Sequence, residues 1–277
     1  MGLPSISDIS LAFRYYRKAR TKYDAHSPFF HHFISEVLDT KKSFYIHEGI
    51  ENLRDKLLRI NKNIEYNDLG AGSKSRTGTQ RNIKDIAKNS STNERDGKIL
   101  FNLVIYNDAK TVLELGTSLG IGTSYLASAA SSVQVHTLEG DPASAYIASR
   151  NFNLLGLNNV SIHEGAFSRT LPNLLKELPT IDIAYIDGDH TYEATFQYFS
   201  MIKSYLSAKA VVVFDDIYWS KGMQRAWSEI IKDDDVKASL DIYSKGFVFF
   251  DPEIITDSKH FTLIPTSMKP WRIGLFP

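Results

Sequence analysis

The chain has 277 residues, of which 43% are hydrophobic and 12% aromatic, enough for a substantial core. Its 32 Lys and Arg residues balance 32 Asp and Glu residues, so the net charge gives no reason to expect a nucleic-acid or membrane partner. It has no cysteine, which excludes disulfides, thiol catalysis and thiolate metal sites. No apolar run is long enough to span a bilayer and no signal peptide is visible, so we expect a soluble, cytoplasmic protein.

Residues 1–96 are predicted to form an N-terminal helical cap or lid region. A basic helix with an aromatic side is predicted over Ile9–Tyr23. Ser27 as N-cap and Pro28 at the first helical position predict a second helix. Glu48–Ile60 has the apolar spacing of a third helix.

Two polar segments complete this region. Tyr66–Ser73 has glycines like those of a nucleotide-binding turn, with Asp68 before them, but a polar stretch follows it where an apolar helix would be needed. We interpret it as a flexible, lid-like loop. Asn89–Gly97 is predicted to be a polar linker.

From residue 97 the chain alternates regularly between strands and helices. Strands are predicted at 111–115, 134–138, 160–163, 181–186 and 210–214, and helices at about 120–130, 143–155, 169–178, 192–206 and 222–232. A final hairpin pairs 239–243 with 247–250 through a turn at Ser244–Gly246. This order predicts an α/β fold: a Rossmann-like, doubly wound, mostly parallel sheet with a C-terminal antiparallel hairpin and an N-terminal helical extension. The domain boundaries are predicted at 97–251, with a tail at 252–277.

The first predicted strand runs into a glycine-rich turn. Residues 111–122 read Thr-Val-Leu-Glu-Leu-Gly-Thr-Ser-Leu-Gly-Ile-Gly. A strand that turns through glycines into a helix leaves backbone N–H groups facing a ligand and lets that ligand approach without meeting a Cβ atom. The spacing is G-x-x-x-G-x-G, with the acidic Glu114 two places before Gly116, and differs from the G-x-G-x-x-G of dinucleotide sites. Many α/β proteins carry such a turn for packing alone.

The second strand ends in an acidic residue. Glu139 lies 23 residues after Gly116, at the tip of the strand 134–138. A carboxylate at this place can accept hydrogen bonds from both hydroxyls of a ribose. The alternative is a solvated strand-end glutamate, or a cap for the helix that begins near Pro142.

The glycine spacing and the strand-end acid together resemble the first motifs of class I S-adenosylmethionine-dependent methyltransferases. The resemblance implies S-adenosylmethionine as cofactor. The residues that it assigns to cofactor binding are Glu114, Gly116, Thr117, Ser118, Gly120, Gly122, Thr123, Glu139, Gly140, Gly165, Ala166, Phe167 and Asp187.

Acidic residues also follow the fourth and fifth predicted strands. Asp187 comes after one strand and the pair Asp215–Asp216 after the next, so the carboxyl ends of the parallel sheet bring them to one edge. Carboxylates that share a site repel one another, and a hard cation such as Mg²⁺ would relieve that repulsion. This part of the chain resembles the metal-dependent O-methyltransferases of the catechol and macrolide-sugar types. That resemblance implies Mg²⁺ or another divalent cation on Asp187, Asp215 and Asp216, with His190 as the catalytic base beside Asp187.

Each of these residues also has a structural interpretation. Asp187 could meet the cofactor alone, His190 could be a hydrogen-bonded structural histidine, and Asp215–Asp216 could cap a helix and line a loop. The aromatic residues beside the acids are predicted substrate contacts, with core packing as the alternative. They are Tyr192, Tyr218 and Trp219.

The predicted function is methylation of a hydroxyl group on a small-molecule acceptor, without nucleic-acid or membrane partners and with a homodimer as one oligomeric option. A nicotinamide-dependent dehydrogenase shares the fold and the ribose carboxylate, but lacks support from the glycine spacing. The residues are also compatible with a metal-dependent, hydroxylase-like enzyme on the same scaffold and with a non-catalytic binding module.

Overall fold

The structure is a computed structural model that describes residues 6–65 and 80–269. The predicted loop at Tyr66–Ser73 and Trp271 lie outside the described residues. The helices are α1 Ile6–Lys18, α2 Pro28–Glu36, α3 Tyr45–Leu57, α4 Ile83–Asn89, α5 Glu94–Tyr106, α6 Ile121–Ser128, α7 Pro142–Leu155, α8 Phe167–Glu177, α9 Tyr192–Lys203 and α10 Lys221–Ile230. The strands are β1 Asn63–Glu65, β2 Gln80–Asn82, β3 Thr111–Leu115, β4 Gln134–Glu139, β5 Val160–Glu164, β6 Ile181–Ile186, β7 Leu206–Asp215, β8 Ala238–Asp241, β9 Lys245–Phe249 and β10 His260–Thr262.

One eight-stranded sheet organises the fold. Its strand order is β10-β8-β9-β7-β6-β3-β4-β5, and β3 to β7 run parallel to their neighbours within that set. Strand β9 is antiparallel to both β7 and β8. The predicted doubly wound sheet with a C-terminal antiparallel hairpin is therefore confirmed. Strands β1 and β2 form a separate antiparallel pair.

The two faces of the sheet are buried against different helices. Val112 and Leu113 are adjacent in β3 and fully buried, but they belong to opposite cores. Val112 packs in the cluster that holds Leu103 of α5, whereas Leu113 packs with Leu171 of α8 and Phe199 of α9. A strand buried on both faces has a continuous apolar run, because helices cover the sheet from both sides.

The N-terminal helices pack on the sheet and its covering helices. Phe33 of α2 contacts the rings of Phe247 and Phe249 in β9, at centroid distances of 5.5 and 4.8 Å. The hydroxyl of Tyr15 in α1 donates to the carbonyl oxygen of Leu263 at 2.6 Å. Ser27 is the N-cap residue of α2, as predicted, but its hydroxyl donates to the Ile255 carbonyl, 3.1 Å away, and makes no cap hydrogen bond. The predicted helical extension is confirmed, and it lies against the sheet.

Several local predictions differ from the structure, among them the end of the first helix, predicted at Tyr23 and observed at Lys18. Helix α5 begins at Glu94, inside the predicted linker, because the Asn93 side chain caps it by accepting from the Asp96 N–H at 3.0 Å. Lys245 and Gly246, predicted in the hairpin turn, lie in β9. Strand β10 lies within the predicted tail and pairs with β8.

The predicted domain boundaries themselves stay a prediction. Among the helices of the described ranges, none has both the length and the apolar character needed to cross a bilayer.

Candidate active site at the carboxyl ends of the strands

The glycine turn after β3 lies directly against the end of β6. Gly116 has φ +108°, a conformation that side chains disfavour, and a Cβ atom built on it would overlap the carbonyl oxygen of Asp187. The absence of a side chain therefore lets the first glycine of the motif touch the loop that carries the predicted catalytic acid. The two predicted constellations, the glycine turn and the acids, meet at this point.

Glu114 is buried beneath the turn. It is 1% exposed and accepts hydrogen bonds from the hydroxyls of Thr123, at 2.5 Å, and Thr137, at 2.7 Å. Burial raises the Glu114 pKa to about 7, against the opposing effect of these two hydrogen bonds. The Thr137 hydroxyl also bonds to that of Thr117 at 2.6 Å. Glu114 thus ties β3 to β4 and to the first turn of α6.

Glu139 is locked in place at the end of β4. One carboxylate oxygen accepts from the backbone N–H of Ser118 at 2.7 Å, and the other from the N–H of Asp141 at 2.9 Å. The Gly140 N–H also interacts with this carboxylate, and since a carboxylate has about four acceptor sites, Glu139 retains acceptor capacity for a ligand. Burial raises the pKa of Glu139, although these backbone N–H groups oppose the shift. The helix-cap alternative fails, because α7 is capped by Asp141, which accepts from the Ser144 N–H at 2.7 Å.

The predicted cofactor residues after β5 adjoin the same edge. The Gly165 N–H donates to the carbonyl oxygen of Glu139 at 2.8 Å. Ala166 is the N-cap residue of α8 and Phe167 its first residue. Gly140 lies between Glu139 and the α7 cap. The turns after β3, β4 and β5 therefore lie side by side, as parallel neighbours require.

The other side of this crevice is formed by a segment that was not predicted to belong to the site, and we call this segment the wall. Ser90, Ser91 and Thr92 line the crevice opposite the glycine turn, together with Glu114 and Asp187. The Ser91 hydroxyl oxygen is buried there with no hydrogen-bond partner among the described residues. The guanidinium of Arg54 donates to the Thr92 carbonyl and so attaches the wall to α3. The polar composition of 89–97 suggested a linker, and only the tertiary contacts identify it as part of the site.

The predicted base and acid lie together after β6. The Nε2 atom of His190 is 3.5 Å from one carboxylate oxygen of Asp187. His190 and Asp189 both have positive φ, +32° and +63°, and the Tyr198 hydroxyl holds the Asp189 carboxylate at 2.5 Å. Non-glycine residues in this conformation are strained, and such strain concentrates at functional sites. Burial, followed by the nearby Asp215, raises the Asp187 pKa to about 7.

Tyr185 links Asp187 to Asp215. Its hydroxyl is 2.5 Å from a carboxylate oxygen of Asp215 and 3.1 Å from one of Asp187. The hydroxyl has a single proton, which it donates to the closer, ionised Asp215. Asp187, with its raised pKa, can place its own proton toward the tyrosine oxygen. The two acids are therefore joined by a hydrogen-bond chain through Tyr185.

Asp215 is paired with a lysine. The Nζ atom of Lys245 is 2.7 Å from one Asp215 oxygen and 3.1 Å from Asp96 of α5. Burial opposes ionisation of Asp215, but Lys245 outweighs it and lowers the Asp215 pKa. Burial likewise disfavours the ammonium, but Asp215 and Asp96 raise the Lys245 pKa. Asp216, at φ +51°, is less enclosed, and burial followed by Asp215 raises its pKa.

The three predicted substrate aromatics separate in the structure. The Tyr218 hydroxyl donates to Asp241 at 2.6 Å, and that of Tyr192 to Glu229 of α10 at 2.5 Å. Both hydroxyls are thus bonded away from the acids. Trp219 is 45% exposed with its ring centroid 6.5 Å from that of His190. Of the three, the Trp219 ring is the one placed beside the predicted base, and the substrate role of all three stays a prediction.

A comparison with protein families covers this whole edge of the sheet. Residues 113–217, from β3 to the loop after β7, match the family described as a methyltransferase domain. This stretch of the chain is similar to the domain of class I methyltransferases. The resemblance inferred from the glycine spacing is confirmed.

Two curated relatives align with parts of the chain. An uncharacterised protein of Acanthamoeba polyphaga mimivirus is 33% identical over 86 residues, which are 30% of this chain and 39% of that protein. A catechol O-methyltransferase of Niastella koreensis is 36% identical over 112 residues, 39% of this chain and 51% of that enzyme. The chain therefore spans about half, or less, of the length of these relatives.

Solved structures support the fold over a longer stretch. The S-adenosylhomocysteine-bound methyltransferase of Podospora anserina superposes with a TM-score of 0.57 at 12% identity, covering 91% of this chain and 99% of that one. At this identity the similarity concerns the fold, and it includes the N-terminal helices.

The methyltransferase domain does not present the predicted metal site. Among the described residues, no group of three His, Asp or Glu side chains has the arrangement to hold a metal ion. The reason lies at Asp215, because both of its carboxylate oxygens are already engaged. One oxygen accepts from Lys245 and from the Asp216 N–H at 2.9 Å, and the other accepts from the Tyr185 hydroxyl. A divalent cation on Asp215 would face the ammonium group at close range, and the two positive charges would repel. The residues present do not fit the ligand set Asp187, Asp215 and Asp216.

Proposed function

We propose that this protein transfers the methyl group of S-adenosylmethionine to a hydroxyl group of a small molecule. The observation that carries the proposal is the crevice of the methyltransferase domain. There the Gly116 turn, the fixed Glu139 carboxylate and the Asp187–His190 loop lie along one edge of the sheet. The chemistry of each part suits one part of the cofactor or the acceptor.

The turn side of the crevice suits the nucleoside. The Glu139 carboxylate can accept hydrogen bonds from ribose hydroxyls, and its bonds to the backbone N–H groups of Ser118 and Asp141 hold it in one orientation before the ligand arrives. The first N–H groups of α6 point from the turn and attract electronegative groups. The buried, unpartnered Ser91 hydroxyl offers a further polar contact from the wall.

The wall has to move for the cofactor to enter. The crevice encloses a cavity of only about 10 Å³, roughly the space of one water molecule. Pockets for small molecules measure roughly 300–1,000 Å³. Ser90–Thr92 consists of three polar residues that are exposed or half-buried, and the Arg54 hydrogen bond attaches it to α3. We infer that this segment moves outward on binding and closes over the bound nucleoside.

The side of the crevice formed by the Asp187–His190 loop suits the hydroxyl group that accepts the methyl group. When bound, S-adenosylmethionine supplies an electrophilic methyl group on a sulfonium. A neutral hydroxyl is a weak nucleophile, so a base must take its proton as the new bond forms. His190 turns Nε2 toward Asp187, which leaves Nδ1 to accept that proton. Asp187 in its ionised form then stabilises the imidazolium, and the Trp219 ring lies beside His190.

Further features of the predicted function stay predictions. These are the cytoplasmic location, the absence of nucleic-acid and membrane partners, and the homodimer. Dependence on a divalent cation is not part of the proposal, because the oxygens of Asp215 are engaged by Lys245 and Tyr185.

Calorimetric titration with S-adenosylhomocysteine tests the proposal, with NADH as the competing ligand class. We expect micromolar binding of S-adenosylhomocysteine and none of NADH. A panel of phenols and sugars with radiolabelled S-adenosylmethionine then identifies acceptors. Failure to bind S-adenosylhomocysteine, or tighter binding of NADH, would overturn the proposal.

A further inference from the structure

A buried lysine, Lys245, contacts one of the three acids on which the resemblance implies a metal ion, Asp215. Lys245 is 2% exposed, and strand register places it opposite Asp215 in the β7–β9 pair. Its ammonium contacts two carboxylates, Asp215 at 2.7 Å and Asp96 at 3.1 Å. It also lies 5.8 Å from the centre of the Tyr185 ring, within reach of a cation–π contact.

A lysine in this position needs a reason. Burying an ammonium group removes its hydration, and the cost is recovered only when opposite charges and hydrogen bonds surround it. Hydrophobic residues of similar size usually serve stability as well or better. The residues of β9 around Lys245 show what the fold otherwise places here, since Phe247 and Phe249 are buried aromatics on the same strand. The charge is therefore kept for a purpose other than packing.

Lys245 is the start of a chain of contacts that ends at the predicted base. It holds Asp215, whose other oxygen receives the Tyr185 hydroxyl. Tyr185 is in turn 3.1 Å from Asp187, and Asp187 faces His190. The orientation of each side chain in this chain depends on the one before it.

We infer that Lys245 is the resident cation of this acidic edge and positions Asp215, Tyr185 and Asp187 without a divalent metal ion. The inference deepens the proposed function and rests on it for the identity of the reaction. A divalent ion would be exchangeable, and its loss to a chelator would release the acids. An ammonium group that is part of β9 is permanent, and it leaves one oxygen of Asp187 on Tyr185 and the other facing His190.

Electron paramagnetic resonance of Mn²⁺ tests the inference without any substrate. Mn²⁺ added to the wild-type protein should stay free. Neither EDTA nor millimolar Mg²⁺ should change the melting temperature or the affinity for S-adenosylhomocysteine. Stoichiometric Mn²⁺ binding that Asp187→Asn or Asp216→Asn removes would overturn the inference.

Variants of the lysine test its positioning role. Lys245→Met should lower the melting temperature by several degrees, because Asp215 and Asp96 are left buried without a partner. Lys209→Met is the matched control: this lysine of β7 is 63% exposed and its loss should leave the melting temperature unchanged. The double variant Lys245→Met with Asp215→Asn removes both charges and should regain much of the stability.

Turnover by the double variant then separates positioning from stability. If Lys245 positions the acids, kcat falls by more than about tenfold while the affinity for S-adenosylhomocysteine is retained. Recovery of kcat together with stability would show a structural role and overturn the inference. Failure of the wild-type protein to bind S-adenosylhomocysteine would contradict the proposed function instead. The Mn²⁺ and melting experiments need no cofactor, so they test the role of Lys245 independently of the proposed function.

Discussion

The carboxylate of Glu139 accepts a hydrogen bond from the backbone N–H of Ser118, 2.7 Å away. This contact joins the end of β4 to the turn after β3, across the crevice of the methyltransferase domain. Ser118 has φ +50°, so the turn adopts an uncommon conformation that presents its N–H to the acid. The carboxylate that is the candidate for ribose binding is thus hydrogen-bonded to the glycine turn, and this bond fixes the two relative to each other.

Replacing Glu139 by Gln should weaken binding of S-adenosylhomocysteine by about 10- to 100-fold, since hydrogen bonds to a charged group contribute roughly 1.5–3 kcal/mol. Calorimetric titration measures the change. Glu164→Gln is the matched control, because Glu164 ends the neighbouring strand in register with Glu139 and is exposed. Equal affinities for the two variants would contradict the assignment of Glu139.

The alanine variant of Gly116 should be destabilised by several kcal/mol, because its methyl group would meet the Asp187 carbonyl oxygen and φ is +108°. Gly156→Ala is the control. Gly156 has φ +68° at the end of α7, but no atom lies within 4 Å of the new methyl group, so about 1 kcal/mol is expected. Urea unfolding of both variants checks this. A Gly116→Ala protein as stable as Gly156→Ala would show that the turn does not contact the β6 loop.

Much of this arrangement could be predicted from the sequence. Strand β3 matches its predicted bounds, since an apolar run between turns carries its own signal. The position of Glu139 and Asp187 at one edge could be predicted because the carboxyl ends of parallel strands lie at the same edge of a sheet. These inferences needed only the strand order and the spacing of residues along it.

Lys245 shows where sequence reasoning fails. The triplet Ser244-Lys-Gly246 has the composition of a turn, but the observed register extends β9 back to Lys245 and pairs it with Asp215. A buried lysine is uncommon, and its partners come from α5 and β7, 149 and 30 residues away. Ser91 was missed for a similar reason, because a polar segment that covers a crevice looks like a linker until its contacts are known.

Glu114 makes stability depend on pH. Its pKa is about 7 in the folded protein and 4.5 in an ordinary environment. A raised carboxyl pKa contributes stability that is fully present below about pH 4.5 and is lost as pH rises through 7. Wild-type protein should therefore lose up to about 3 kcal/mol more than Glu114→Gln between pH 5 and pH 8.

Urea unfolding of both proteins at the two pH values measures this difference. Titrating groups that do not interact with Glu114 contribute equally to both proteins and cancel, whereas the coupling of Glu114 to Asp187 and Glu139 is part of the measured difference. Parallel loss of stability in the two proteins would mean that Glu114 titrates at its ordinary pKa.

His190→Ala should reduce methyl transfer by about 10²- to 10⁴-fold, the usual contribution of a general base. Affinity for S-adenosylhomocysteine should stay within about twofold, since the imidazole faces the acceptor side in the proposed mechanism. Added imidazole should restore part of the activity. An equal loss of turnover and affinity, without rescue, would assign His190 a structural role.

A crystal structure of the complex with S-adenosylhomocysteine shows where the nucleoside binds. We expect both ribose hydroxyls within hydrogen-bond distance of the Glu139 carboxylate, about 2.5–3.0 Å, and the sulfur atom turned toward Asp187 and His190. A nucleoside bound elsewhere, with the Gly116 crevice closed by Ser90–Thr92, would contradict this expectation.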